Sequence, residues 1–114
     1  MGLPTDKVWV GCHWLPLTER MDLSHFGQYD AFPNPGISYG PVRGHILAMT
    51  LIHEFIEAVA DIYDLKIKET EIRCLETSLV GVIMRSPELT DWVVRELRKS
   101  ESLVKPDVSH TIQA

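Results

Sequence analysis

Cysteine is scarce in this chain, with Cys12 and Cys74 the only two among 114 residues. Neither belongs to a C-x-x-C pair, which excludes a thiolate zinc cluster or a redox dithiol. Two free, buried thiols in a reducing cytosol are expected rather than a disulfide. Positive charge is also in short supply, with 11 Lys and Arg against 16 Asp and Glu and a formal net charge of −5. The one basic cluster, Arg95, Arg98 and Lys99, is interleaved with Glu96 and Glu101 and reads as a solvated helix face. Nucleic acids and anionic membranes both select basic patches, so neither is expected as a partner. No apolar run approaches the roughly 18 uninterrupted residues of a membrane span. The first residues lack the basic and apolar regions of a signal peptide, and Asp6 stands where a myristoylation motif has Ser or Thr. A cytoplasmic location is expected.

What the chain does have is ordinary globular material, 45% hydrophobic and 24% charged, enough for one domain with its own core. Residues 7–40 are rich in glycine and proline and carry strand-forming runs. Val8, Val10, Cys12 and Trp14 alternate onto one face of a strand that Pro16 ends or places at an edge. Residues 26–30 and 37–39 read as two short strands joined by a turn at Pro33-Asn34-Pro35-Gly36. From Pro41 the period becomes helical. A helix over about 42–64 is apolar nearly all round, which marks a central, buried element. A second helix spans about 69–85 with Ile72, Leu75, Leu79, Val82 and Ile83 at helical spacing. Ser86-Pro87 ends it, because the residue before proline is pushed out of the α region, and Pro87 opens a third helix. The fold expected is α+β, a small, mostly antiparallel sheet followed by three helices. Residues 1–104 form a single domain, and 105–114 are a mobile tail.

The polar exceptions inside the central helix carry the chemistry. His53-Glu54-Phe55-Ile56-Glu57 is the zinc-protease pattern H-E-x-x-H with its second histidine replaced. In that pattern two residues one turn apart hold the metal and the intervening glutamate is general base. Positions 53 and 57 share a helical face, and a carboxylate oxygen is also a zinc ligand. If the next helix packs antiparallel after a turn at Leu65–Lys68, Glu76 falls beside Glu57. Glu69 and Glu71, near the turn, suit a capping role in the positive end of the helix dipole. The ligand set expected is therefore His53, Glu57 and Glu76, with Glu54 as catalytic base. Trp9, Trp14 and Trp92 are expected in the core. His13 and His45 are weaker candidates for a metal, and Tyr39 or His45 for support of an oxyanion.

Thr50-Leu51-Ile52-His53-Glu54-Phe55-Ile56-Glu57-Ala58 resembles the active-site helix of zincin metallopeptidases, and a glutamate on the following helix is similar to the third ligand of the gluzincins. The short chain, strands first and helices after, more closely resembles minimal zincin-like proteins of phage and bacterial genomes. Leu79 and Arg85-Ser86-Pro87-Glu88-Leu89 stand in matching places, and the resemblance covers about residues 27–90. It implies a metal-dependent peptidase or amide hydrolase acting on a peptide or protein, in the host cytoplasm where the gene is a phage's. It further implies a sheet edge strand that holds substrate extended, for which Ile37–Tyr39 is the segment expected. Zinc is the implied metal. One histidine with two carboxylates leaves a bound Zn²⁺ neutral, so its water is acidified less from about 9 towards about 7 and hydrolysis is weakened or lost. The oxygen-rich set also moves preference towards Mn²⁺ or Fe²⁺. The alternative expectation is a catalytically inactive zincin scaffold that works as a protein-binding module, for example a phage protein engaging a host factor; for the cofactor, the alternative is a metal-free site.

Overall fold

A computed structural model describes residues 3–104, with side chains through Lys99, and in it the run from Val8 to Leu15 folds back on itself. It forms two strands, β1 (Lys7–Val10) and β2 (His13–Glu19), rather than the single strand its alternation suggests. They pair antiparallel with Trp9 opposite Trp14 and Val10 opposite His13. Between them Gly11 and Cys12 have φ of 56° and 67°, the two left-handed conformations of a type I′ hairpin turn. Cysteine does not signal such a turn, so the sequence pattern reads on through it. Gly11 has a second reason to lack a side chain, because a Cβ there would come within 3.0 Å of Ile62 Cγ2.

Pro16 is opposite Lys7 at the end of the hairpin, and β2 changes partner immediately after it. Leu17 to Glu19 pair in parallel with β4 (Gly36–Tyr39), and β4 pairs antiparallel with β3 (Gly27–Asp30). The order β1-β2-β4-β3 makes a mixed sheet with two antiparallel pairings and one parallel. This order moves the free edge. Ile37, Ser38 and Tyr39 are buried on an interior strand, whereas β3 is outermost. The edge strand expected at Ile37–Tyr39 is therefore at Gly27–Asp30.

Three helices follow: α1 (Gly44–Ile62), α2 (Glu69–Arg85) and α3 (Pro87–Val104). Pro41 occupies a tight turn in which the Val42 N–H donates to the Gly40 carbonyl at 2.7 Å; α1 begins only after the extended Arg43. At its other end Asp64 takes the left-handed conformation, with φ 54°. The Leu65 N–H reaches back to the Ala60 carbonyl and that of Asp64 to Asp61, the two bonds of a Schellman cap. At the start of α2 the Lys68 N–H donates to Glu71 Oε1 at 2.8 Å, one half of a capping box. Ser86-Pro87 separates α2 from α3 as proline chemistry requires.

Leu47, Leu51, Glu54 and Ala58 recur at helical spacing on the buried face of α1. The apolar members pack with Val10, Leu15, Ile37 and Tyr39 of the sheet to form the core, each large side chain contributing about 1.5–3 kcal/mol. The helix is buried on one side rather than all round, since Ile46 and Met49 are exposed. Nor does the core absorb the tryptophans: Trp9, Trp14 and Trp92 are all at least half exposed. Cys12 and Cys74 are free, as expected of them, but exposed rather than buried.

The described residues cluster into two compact units that divide between Ser78 and Leu79, within α2. The first holds the sheet, α1 and the start of α2; the second holds the rest of α2 and α3. The tail expected over 105–114 lies outside the described residues. Among those residues no helix is long and apolar enough to cross a membrane.

Candidate metal centre

His53 extends from the middle of α1 and meets carboxylates on both of its ring nitrogens. Nε2 lies 2.9 Å from Glu57 Oε2, one turn further along the same helix. It also lies 3.1 Å from Glu69 Oε2, contributed by the first residue of α2. Nδ1, on the other side of the ring, is 2.8 Å from Glu76 Oε1. His53 and Glu76 are the better buried members, with side chains 18% and 15% exposed, and Glu69 at 51% opens to solvent.

His53, Glu57 and Glu69 can therefore hold a metal ion: one ligand atom from each lies within 4.8 Å of the others. Glu69 supplies the third atom of this group, while Glu76, the ligand that the hairpin geometry suggested, meets the other ring nitrogen. Glu76 is brought to the same imidazole, but behind it. There it accepts the Nδ1–H of the imidazolium and leaves Nε2 as the nitrogen for which a cation would compete, the arrangement in which an outer carboxylate orients a ligating histidine. Glu69 was missed because its position near the turn suits a cap. The cap is instead Glu71, two residues on, which leaves the Glu69 carboxylate available to face His53.

Glu54 has a different environment. It is 6% exposed, lies on the core-facing stripe of α1, and its Oε1 has no hydrogen-bond partner. Burial pushes its carboxyl up to about 7, helped by the negative charge of Glu57 and, more weakly, of Glu69 and Glu76, with His53 opposing. Burial pulls the His53 imidazole down, but its hydrogen bonds to Glu76 and Glu57 overcome this and raise it above the ordinary histidine value. Without a cation, the imidazolium is what neutralises the surrounding carboxylates. Metal would compete for Nε2 with a proton.

The approach of β3 completes the site. A Cβ on Gly27 would lie 2.5 Å from Thr50 Cγ2 and 3.2 Å from Glu54 Oε2, so only glycine lets the strand come this close to α1. Tyr29, two residues on, donates its hydroxyl to Asp61 at 2.9 Å and ties the strand to the far end of the helix. Beside Glu54, Glu69 and Glu76 is a cavity of about 630 Å³, lined also by Phe26, Ile46, Met49, His53 and Arg73. His45 also lines it. Tyr39 is in the core instead, and His13 stacks edge-on against Phe32.

Fold and site together define an α+β protein with a His–carboxylate group able to hold a metal ion beside a buried, unpartnered glutamate. No family model matches the sequence, and no curated protein and no solved structure matches it either.

Proposed function

We propose that this chain is a minimal zincin-like metalloprotein that hydrolyses a peptide or amide bond, with a base tuned to compensate for a weakly acidifying metal. The observation that carries the reading is the placement of Glu54, a buried carboxyl with an orphaned oxygen, at a cavity that His53 and Glu69 also line. A buried polar atom without a partner costs about 1–3 kcal/mol, a cost retained most readily where it serves chemistry. The donor set suits a divalent cation: one imidazole nitrogen and two carboxylates that together cancel its charge.

When bound, such a cation supplies Lewis acidity toward a carbonyl and a nearby water. Zinc fits the nitrogen donor, and the two carboxylates bring Mn²⁺ and Fe²⁺ into competition. Glu54 then holds or releases a proton at Oε1, and a carboxyl near 7 is matched to transfer at neutral pH. Phe26, Ile46 and Met49 contribute apolar side chains to the cavity wall. The outer edge of β3 offers main-chain groups to an extended peptide running past Gly27.

The test is elemental analysis of protein purified without chelator, alongside cleavage of a peptide library. About one metal per chain, lost in His53→Ala, with metal-dependent cleavage abolished by Glu54→Gln, is the expected result. Metal-free wild-type protein would overturn the reading.

A second reading, an inactive scaffold acting as a binding module, is favoured by one feature. Trp9 and Trp14 pair edge-to-face at 5.3 Å across the hairpin while each is more than half exposed, and exposed aromatics are enriched at protein interfaces. Metal-dependent cleavage lost with Glu54→Gln would end that reading.

A further inference from the structure

Taken by itself, the second unit presents an apolar surface. Across the described part of α3 no side chain is buried, and Leu89, Trp92, Val93 and Leu97 are exposed on one stripe of the helix. Val82 and Ile83, in the last turns of α2, are exposed as well. Helices in proteins are held mainly by packing such a face, not by intrinsic propensity.

The charges of α3 indicate what covers it. Glu88 and Asp91 lie in the first half of the helix, Arg95, Arg98 and Lys99 in the second. Glu96 is taken up by Lys99 at 2.9 Å within the helix. Among the described residues Glu88, Asp91, Arg95 and Arg98 form no ion pair. Glu88 and Arg95, two turns apart, fall on the same flank, beside Trp92. When two copies of such a helix lie antiparallel, each flank meets the same flank of the other copy, acidic half against basic half. Parallel packing would bring that flank against the uncharged flank of Ser86 and Thr90, and antiparallel packing also opposes the helix dipoles.

We propose that α3 is the contact between two copies of this chain, an antiparallel, two-fold pairing in which Leu89, Trp92, Val93 and Leu97 interdigitate and Glu88 of each copy faces Arg95 of the other. A two-fold contact needs a self-complementary surface, which one α3 provides with its own charge pattern.

Sedimentation equilibrium on the full chain tests this. The wild-type chain is expected to be a dimer at micromolar concentration. Leu97→Gln, an exchange of one good helix former for another at an exposed site, is expected to weaken the dimer by about tenfold or more. Glu88→Arg and Arg95→Glu are each expected to weaken it, and the double variant to restore it. Circular dichroism on each variant confirms that the helices persist. A wild-type monomer across the concentration range would overturn the proposal, as would a dimer indifferent to Leu97→Gln. A double variant no tighter than the singles would overturn the antiparallel pairing.

Discussion

Glu76 Oε1 lies 2.8 Å from His53 Nδ1, on the face of the ring opposite the one that Glu57 and Glu69 approach. When the imidazolium gives up one proton, Glu76 favours retention of the Nδ1–H and so leaves the lone pair on Nε2. Glu76→Gln keeps the shape but replaces the charged acceptor with an amide. Metal affinity is expected to fall about 10–100-fold, the usual cost of losing an outer carboxylate behind a ligating histidine. Competition with a chromophoric chelator measures it; an unchanged affinity would mean that Glu76 does not orient the ring.

Two groups give the metal-free protein a pH dependence of one sign. The Glu54 carboxyl is raised from an ordinary value near 4.5 to about 7 in the fold. Between those values the folded chain holds a proton that the unfolded chain has lost, so stability falls as pH rises through this window and levels above it. His53, also raised, stabilises fully below its unfolded value near 6.5 and ceases to as pH climbs past its folded one. Chelator-treated protein should therefore be more stable at pH 5 than at pH 8, by up to about 3 kcal/mol from Glu54 alone. Urea titrations across pH measure the slope, and Glu54→Gln should remove the part between about 4.5 and 7.

The same protonation state predicts what metal binding releases. Near neutral pH the imidazolium must give up its Nε2 proton before that nitrogen can bind a cation. Calorimetric titration with Zn²⁺ or Mn²⁺ in buffers of different ionisation enthalpy should report proton release on binding below neutral pH, and less of it as pH rises. No buffer dependence would place the cation elsewhere.

The parts of the fold that were legible in the sequence depend on local chemistry. Pro87 and the helical spacing of Ile72, Leu75 and Leu79 define the helices with little help from elsewhere, and the spacing of His53 and Glu57 alone places both on one face. What escaped depended on partners distant in sequence. The Gly11–Cys12 turn is hidden because cysteine is no turn signal, and β4 lies inside because β2 changes partner after Pro16. The order of Glu69 and Glu76 around His53 depends on which ring nitrogen each helix turn reaches. A period of 3.6 residues does not encode that.

Gly27 tests the close packing of the edge strand on the site. Gly27→Ala would place a methyl 2.5 Å from Thr50 Cγ2 and 3.2 Å from Glu54 Oε2. Strand or helix must shift, and overpacking of this kind costs about 1–3 kcal/mol. A lower thermal midpoint together with loss of peptide cleavage is the expected outcome. Full stability in Gly27→Ala would show that β3 and α1 part without strain.

Glu69 and Glu71 are two residues apart on the first turn of α2 and should separate cleanly by function. Glu71 accepts the Lys68 N–H at 2.8 Å, so Glu71→Ala removes a cap and should cost about 0.5–2 kcal/mol with metal affinity intact. Glu69 faces His53 Nε2 at 3.1 Å and is half exposed, so Glu69→Ala should leave the helix stable and remove a ligand. The three carboxylates around His53 are then reduced to two, which relieves their repulsion but also removes the contacts of Glu69 with His53 and Arg73, so without metal this variant should stay close to wild type in stability. Pairing chemical denaturation with metal titration on both variants gives the two halves of the test. Equal loss of metal by both would mean that the start of α2, rather than the Glu69 carboxylate, is what the site requires.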